Sequence, residues 1–136
     1  TETAELAYEY GRHLGLAFQF QDDVLDFVGT GSVLGKPTLG DLREGIATAP
    51  VLFAAEEFSG LTPLIERRFK NSGDVELAAD WVRQSDGIER TKAMAREHSA
   101  EAVKAIDSLP PIDCPHALRC RKGLKELAYM AVNRIK

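Results

Sequence analysis

The sequence predicts an all-α fold, and three observations support this prediction. Apolar residues recur every three to four positions over long segments, as they do on the buried face of a helix. No segment keeps the strict alternation of apolar and polar residues that is typical of a half-buried strand. Clusters of glycine and proline separate the periodic segments and mark the places where helices end. We therefore expect a bundle of helices joined by short connections.

The first helix is expected to begin near Glu2 and to end at Gly29–Gly31. Its apolar residues are Leu6, Ala7, Tyr10, Leu14, Ala17, Phe18, Phe20, Val24, Leu25, Phe27 and Val28. Towards its end these residues leave almost no polar face. A helix that is apolar all round is expected inside a bundle and not on its surface.

Three carboxylates interrupt this apolar helix. Asp22 and Asp26 lie four residues apart and share a face, which Gln19 joins from three residues upstream, while Asp23 projects about a quarter-turn away. Like charges at this spacing repel by ~0.2–0.5 kcal/mol. The negative end of the helix dipole adds a cost of roughly 0.3–1 kcal/mol for each carboxylate. A bound cation would reverse these costs, and carboxylates without nearby His or Cys favour Mg²⁺.

A solvated acidic helix end is the alternative interpretation, and the segment that follows argues against it. Residues 29–40 contain four glycines and Pro37, which predict an irregular loop. Lys36 in this loop is a flexible point charge suited to a phosphate. Asp41 then opens a second acidic segment, with Glu44 at capping-box spacing. The combination predicts a site for a metal ion and a phosphate.

Six helical segments are expected from Asp41 onward. We expect a short helix at Asp41 and then helices over Thr48–Phe58, with Pro50 in the first turn, over Leu61–Phe69, over Asp74–Gln84 with Asp74 as cap, from Ser85 to Pro110, and from about Pro115 onward. In the last helix, Leu118, Leu124, Leu127, Ala131 and Ile135 are expected to face inward. His98 lies on the apolar stripe of the preceding helix, so it is interpreted as a packed histidine and not as a catalytic one.

The acidic segments resemble the second aspartate-rich motif of trans-polyprenyl diphosphate synthases. The resemblance is carried by Gly15-x-Ala17-Phe18-Gln19-x-x-Asp22-Asp23-x-Leu25-Asp26, then Gly35-Lys36-Pro37 and Asp41-Leu42-Arg43-Glu44-Gly45. Gly45-Ile46-Ala47-Thr48-Ala49-Pro50 is most similar to long-chain members that make quinone side chains, the solanesyl, nonaprenyl and decaprenyl diphosphate synthases. The first aspartate-rich motif of that family has no counterpart here. The resemblance therefore implies that residues 1–136 are the C-terminal part of a single synthase domain.

The resemblance also implies a reaction and a set of site residues. Isopentenyl diphosphate would be condensed with an allylic diphosphate, with Mg²⁺ as cofactor. The implied metal site comprises Asp22, Asp23 and Asp26, with Asp22 as the direct ligand and Asp23, Asp26 and Asp41 holding metal-bound waters. Lys36 would bind the leaving diphosphate, and Gln19 would line the cavity beside the allylic end. Without the first motif, the 136-residue chain by itself is expected to be inactive.

Two other functions are considered for this chain. It could be a non-catalytic partner subunit of a heteromeric prenyl synthase, although the three retained aspartates argue against that. It could be related to terpene cyclases or head-to-head synthases, although the Gly-Lys-Pro loop and the Asp-Leu-Arg-Glu-Gly turn argue against that.

The sequence departs from many short-chain members of the family at Ile46, where those members carry Lys. The long-chain members share an aliphatic residue there.

Composition excludes several classes of protein. The chain is 44% hydrophobic and 28% charged with a net charge of −4, which indicates neither disorder nor binding to nucleic acid. No apolar run approaches the ~18–20 residues that span a bilayer. Cys114 and Cys120 form no metal-binding spacing with His and predict the reduced thiols of an intracellular protein. The resemblance to synthases of the quinone pathway implies, by analogy alone, that the protein is located in a mitochondrion or a plastid.

Two expectations concern surfaces. Leu14, Phe18, Val24, Leu25 and the Gly11-x-x-x-Gly15 face would be uncovered in this chain, so we expect a homo- or hetero-oligomer. Contact with a membrane is expected only peripherally, through the apolar product. The basic C-terminus, Asn133–Lys136, is interpreted as a solvated helix end, with closure over a diphosphate as the alternative that the family suggests.

Overall fold

The computed structural model describes residues 1–29 and 37–135, and within them it confirms the all-α fold. The helices are α1 (Glu2–Val28), α2 (Gly40–Arg43), α3 (Ala49–Glu57), α4 (Leu61–Glu66), α5 (Asp74–Gln84), α6 (Gly87–Asp107) and α7 (Pro115–Val132). No helix of the described ranges is both long and apolar enough to cross a bilayer. The order and the type of the elements agree with the sequence prediction.

The chain divides into two compact units. The first unit combines Thr1–Gln21 with Met94–Arg134, and the second combines Asp22–Ala93 with Ile135. The long helices α1 and α6 each contribute one end to the first unit and the other end to the second.

The core of the first unit is made mostly of small residues. Tyr10, Ala102, Ala105, Ile106 and Ala128 form it, with Leu14, Val103, Leu109 and Leu124 packed against them. Two hydroxyl groups tie these helices together, because Tyr10 donates to the carbonyl of Leu124 at 2.7 Å and Ser99 donates to the carbonyl of Ala128 at 2.7 Å. Both buried hydroxyls are thereby hydrogen-bonded, as buried polar groups usually are.

The predicted inward face of α7 is wrong in part. Leu118, Leu127 and Ile135 are exposed, and the buried residues of α7 are Ala128 and Ala131. Ala128 packs with Ala102 and Ala105 of α6, so the contact between these helices is made by side chains too small to hold the backbones apart. The sequence prediction weighted large apolar residues and therefore missed a contact built on alanines.

The second unit has the larger apolar core. It comprises Phe27, Leu39, Leu42, Val51, Ala54, Leu61, Leu64, Phe69, Ala78, Ala79 and Val82. Helix α4 ends at Glu66, earlier than predicted, because Arg68 and Phe69 adopt left-handed backbone conformations with φ of 56° and 57°. This turn places Phe69 in the core.

The N-cap of α5 differs from the prediction, which placed Asp74 there. Gly73, with φ of 86°, occupies the N-cap of α5, and Asp74 is its first helical residue. Asp74 instead accepts two hydrogen bonds of 2.8 Å from Arg67. Ser85 is the C-cap of α5, and its hydroxyl accepts the backbone N–H of Gly87 at the start of α6 at 3.0 Å.

The start of α6 lies so close to α3 that it requires glycine. A Cβ atom added at Gly87 would lie 2.3 Å from the carbonyl oxygen of Pro50. Since that oxygen belongs to the backbone, only a shift of one of the helices could relieve the overlap. Gly87 therefore sets the distance between α3 and α6.

Replacing Gly87 by alanine is expected to lower the free energy of unfolding by about 1–3 kcal/mol, the usual cost of overpacking. The matched control is Gly123→Ala in α7, where an added Cβ meets nothing within 4 Å. That substitution should raise the free energy of unfolding by about 0.5–1 kcal/mol, because alanine restricts the unfolded chain more than glycine does. Urea unfolding measures both, and equal effects of the two variants would contradict the close approach.

Candidate functional site

The last two turns of α1 carry the three predicted carboxylates into the second unit. Asp22 and Asp26 are partly exposed, whereas Asp23 is only 6% exposed. Val24 and Phe27, on the same turns, are buried in the core. Packing of these apolar residues fixes the rotation of the helix and therefore decides which carboxylates remain accessible.

The carboxylate of Asp26 binds the start of the second acidic segment. Its Oδ1 accepts hydrogen bonds from the backbone N–H of Gly40 at 3.0 Å and from the hydroxyl of Thr38 at 3.1 Å. Its Oδ2 accepts the backbone N–H of Asp41 at 3.2 Å. The backbone carbonyl of Asp26 also accepts the N–H of Leu39 at 3.3 Å. Four consecutive residues, 38–41, are thus held by one residue of α1.

This arrangement replaces the capping box predicted for Asp41 and Glu44, which is wrong. The N-cap of α2 is Leu39, whose side chain makes no capping hydrogen bond. Leu39 has a left-handed backbone with φ of 53°, a conformation that costs a non-glycine residue about 1–3 kcal/mol. Burial of its side chain and the hydrogen bonds that Asp26 accepts from residues 38–41 offset that cost. Asp26 therefore caps α2 from another helix.

Asp41 lies in an environment that disfavours its charge. Burial raises the pKa of its carboxyl group, and the negative charges of Asp26, Glu44 and Asp22 raise it further. Such a cluster of carboxylates is stabilised by a cation, which removes the repulsion that raises the pKa. The oxygen donors suit Mg²⁺ or Ca²⁺ and give no nitrogen or sulfur ligand for a softer metal.

The donor set fits an ion that is only partly held by protein. Among residues 1–29 and 37–135, no group of three or more His, Cys, Asp or Glu side chains lies close enough together to hold a metal ion by itself. Mg²⁺ commonly takes one or two carboxylates and completes its shell with water and with the phosphates of a substrate. The acidic cluster therefore fits a site that is completed by a phosphorylated ligand.

The turn that ends the second acidic segment is fixed by Arg68. Its guanidinium donates to the carbonyls of Glu44 and Gly45, each at 3.4 Å. Gly45 has φ of 82°, and an added Cβ would lie 3.0 Å from the Cβ of Arg68. The sequence carries no signal for this contact, since nothing in the spacing of Arg68 connects it to a turn 23 residues upstream.

The remaining predicted site residues are placed as follows. Gln19 is an exposed residue of α1 and belongs to the first unit. Lys36 lies outside the described residues. Asp22 and Asp41 are both partly exposed in the second unit, and the charge of Asp22 contributes to the raised pKa of Asp41.

The basic C-terminus is not a solvated helix end at Arg134. Its guanidinium lies 3.8 Å from the centroid of the Phe18 ring and donates to the carbonyl of Phe18 at 3.0 Å. The carbonyl of Arg134 in turn accepts the side-chain amide of Gln21 at 2.9 Å. These contacts join residues more than a hundred positions apart, and sequence spacing carries no signal for them.

Comparison with known proteins identifies the family. The family model described as polyprenyl synthetase matches residues 1–82, which is more than half of the sequence. The chain belongs to this family. It is 50% identical over 135 residues to a mitochondrial solanesyl-diphosphate synthase 1 of Oryza sativa subsp. japonica, and the match covers 99% of this chain and 31% of that protein. The chain thus spans about a third of the length of this curated relative.

Two solved structures support the fold. An apo medium/long-chain length prenyl pyrophosphate synthase of Arabidopsis superposes with a TM-score of 0.92 at 45% identity, over 100% of this chain and 46% of that one. A polyprenyl synthase of Caulobacter crescentus, complexed with calcium and isoprenyl diphosphate, gives a TM-score of 0.76 at 34% identity, over 97% of this chain and 40% of that one. The helices described above are therefore those of prenyl synthases.

Replacing Asp26 by alanine is expected to release residues 38–41. The loss of a helix cap typically costs about 0.5–2 kcal/mol, and the backbone N–H groups of Gly40 and Asp41 should exchange with deuterium faster than in the unchanged chain. Urea unfolding and hydrogen exchange measure the two effects.

The matched control for this experiment is Asp80→Ala. Asp80 is an exposed aspartate of α5 that accepts a hydrogen bond from Gln84 of the same helix. Asp80→Ala should change the free energy of unfolding by no more than about 0.5 kcal/mol, as is usual for surface substitutions. Unchanged exchange at Gly40 and Asp41 in Asp26→Ala would show that Asp26 does not hold this segment.

Proposed function

We propose that the chain is the C-terminal part of a single synthase domain that condenses isopentenyl diphosphate with an allylic diphosphate. The product would be a long-chain all-trans polyprenyl diphosphate for a quinone side chain. The observation that carries the proposal is the acidic cluster of Asp22, Asp26 and Asp41, in which the pKa of Asp41 is raised. Membership of the polyprenyl synthetase family supports the same reaction.

In this proposal the aspartates have different roles in binding a metal ion and a diphosphate. Bound Mg²⁺ would neutralise the charge that develops on the departing diphosphate. Asp22 would hold the ion directly, because it is partly exposed and takes part in the cluster that raises the pKa of Asp41. Asp26 would hold residues 38–41 in place through the hydrogen bonds that it accepts from them. The three hydrogen bonds to its carboxylate leave lone pairs, and these would accept a metal-bound water.

Asp23 is proposed to contribute less than Asp22. It was predicted within the same metal site, but its side chain is 6% exposed and so offers little room to a hydrated ion. Its place beside Asp22 would let it orient a metal-bound water, as residues around a metal commonly do. The order of importance proposed here is therefore Asp22 first and Asp23 second.

Two further residues complete the proposed site through the sequence motif. Lys36 would bind the diphosphate leaving group, since an ammonium on a flexible stem matches a mobile phosphate. Gln19 would line the cavity beside the allylic end of the substrate. The complex of the Caulobacter crescentus relative with calcium and isoprenyl diphosphate supports a site in which a divalent ion and a diphosphate bind together.

The names of the relatives support the class of product and the compartment. The rice relative is a mitochondrial solanesyl-diphosphate synthase, and a further relative is a mitochondrial hexaprenyl pyrophosphate synthase of Saccharomyces cerevisiae. We propose by analogy a long-chain product and a mitochondrial or plastid location. Contact with a membrane would be peripheral and would arise through the product.

The proposal predicts unequal losses when the aspartates are replaced. A suitable enzyme is a chimera in which residues 1–136 replace the matching segment of the rice relative, because this chain spans only part of that protein. Asp22→Ala should lower kcat for elongation by at least about 10³-fold, since one donor of transition-state charge stabilisation contributes about 10²–10³-fold and metal affinity is lost as well. Asp23→Ala should cost about 10–100-fold, the usual effect of a residue outside the ligands.

Labelled isopentenyl diphosphate and an allylic primer at saturating Mg²⁺ give both rates, and sizing the products tests the long-chain assignment. The isolated 136-residue chain is the negative control. If the chimera without any substitution is inactive, the result would favour the partner-subunit alternative. Equal, mild losses of kcat in Asp22→Ala and Asp23→Ala would overturn the assignment of Asp22 as the direct ligand.

We also propose that the chain associates through α1. Tyr8 is 68% exposed and Phe18 is 48% exposed, and the space around Gly11 and Gly15 is open. Val24, which is expected to be uncovered, is buried in the second unit, and Leu14 packs against the core of the first unit, so the uncovered surface is smaller than predicted. A large apolar side chain gains ~1.5–3 kcal/mol from burial, so covering this surface favours a dimer or a larger oligomer.

Sedimentation equilibrium at micromolar concentration tests the association. Tyr8→Glu should weaken it at least about tenfold, the equivalent of 1.4 kcal/mol. Leu77→Glu, on the exposed side of α5, is the matched control and should leave it unchanged. A monodisperse monomer with a cooperative melting transition would contradict the proposal.

A further inference from the structure

Two histidines of the first unit face each other at hydrogen-bonding distance. The Nδ1 atoms of His13 in α1 and His98 in α6 lie 2.8 Å apart, and the ring centroids are 5.1 Å apart. The ring of Phe20 stacks on His98 with a centroid separation of 5.7 Å. The pair joins two helices whose histidines are 85 positions apart in the sequence.

The distance between the two nitrogens limits how many protons the pair can hold. One N–H must lie between them, because two bare nitrogens repel each other and two N–H groups cannot share a gap of 2.8 Å. In the uncharged pair, the Nδ1–H of one ring donates to the Nδ1 of the other. The pair is therefore a hydrogen bond that depends on its own protonation state.

The outer nitrogen of His13 allows one extra proton without breaking this bond. Its Nε2 lies 3.1 Å from the guanidinium of Arg12 and 3.3 Å from the carboxylate of Glu9. When uncharged, it accepts from Arg12, and when protonated it donates to Glu9. A second extra proton has no such place, because it must occupy the inner Nδ1 of His98 and confront the N–H of His13.

We propose that His13 and His98 form a proton-sensitive clasp between α1 and α6, which is closed while at most one ring is charged and opens when both are protonated. Opening would separate the two rings and release the stacked Phe20. The clasp is independent of the proposed synthase reaction, since none of its members belongs to the acidic cluster.

The charges around the pair determine the direction of its pH dependence. Glu9 and Arg12 face it from α1, Glu97 and Glu101 face it from α6, and Lys104 lines the same cavity as His13. Burial lowers the pKa of His98, and the charges of His13 and Arg12 lower it further, against the opposing effect of Glu97 and Glu101.

The sign of the stability effect follows from this lowered pKa. An unfolded histidine has a pKa of about 6.5, so below that pH the unfolded chain binds more protons than the folded chain does. The contribution of His98 to the free energy of unfolding is then fully present above about pH 6.5, and it is lost as the pH falls towards the pKa of folded His98. For each unit by which folding lowers the pKa of His98, the melting temperature should fall by about 3–5 °C across this pH range.

The direct test is an NMR titration of the histidine Cε1–H signals of the 136-residue chain between pH 5 and pH 8. EDTA is present so that no trace metal bridges the rings. The reference is the pKa of about 6.5 of an unperturbed histidine. His98 is expected to titrate below that value, and His13→Gln is expected to raise the midpoint of His98 towards it.

Thermal melting over the same pH range provides the second readout. The unchanged chain and His116→Gln should lose melting temperature as the pH falls below 6.5, and His98→Gln should lose less. A midpoint of His98 at or above the unperturbed value of about 6.5 in the unchanged chain would overturn the proposal even if His13→Gln does not fold. A melting temperature that depends on pH equally in His98→Gln would overturn it too.

Discussion

The carboxylate of Asp26 is the interaction on which the rest of the acidic site depends. It accepts hydrogen bonds from Thr38, Gly40 and Asp41, and its carbonyl accepts the N–H of Leu39. These bonds hold Leu39 in a left-handed conformation and begin α2 at Gly40. Without them the chain would have no local reason to bring Asp41 near the end of α1, because the side chain of Leu39 makes no capping hydrogen bond.

The same arrangement explains why the carboxylates are tolerated. Apolar packing of Val24 and Phe27 fixes the helix and leaves Asp22 and Asp26 partly exposed. Hydrogen bonds to backbone N–H groups compensate the charge of Asp26, whereas the charge of Asp41 is left disfavoured and its pKa is raised. A protein commonly keeps such an unfavourable charge where a ligand of opposite charge binds. Stability is thus lowered locally at the place where the proposed metal ion and diphosphate would restore it.

The sequence predicted the helices and the aspartates because both depend on local spacing. The 3.6-residue period and the prolines place α3, α6 and α7 to within a few residues, and the four-residue spacing of Asp22 and Asp26 defines a face. Contacts between distant segments leave no such period. The cap that Asp26 gives to α2 and the contact of His13 with His98 were therefore not predicted.

The missed contacts follow a physical pattern. The sequence prediction treats Arg134 as a solvated charge and gives Arg68 no role. Arg68 nevertheless binds the carbonyls of Glu44 and Gly45, and Arg134 binds the carbonyl of Phe18, since a guanidinium can satisfy several acceptors at once. The inward face of α7 was missed because alanines, and not leucines, make its contact with α6. In both cases the residue type permits two environments, and only the packing of the folded chain selects one of them.

The division of roles between Asp22 and Asp26 is the central claim, and anomalous diffraction tests it most directly. Crystals of the chimera with the rice synthase would be grown with Mn²⁺ in place of Mg²⁺ and with inorganic diphosphate. We predict an anomalous peak at coordination distance from the carboxylate of Asp22, with Asp26 still bound to the N–H groups of Gly40 and Asp41. An ion held by Asp26 with those hydrogen bonds broken, or no peak among the acidic residues, would contradict the account.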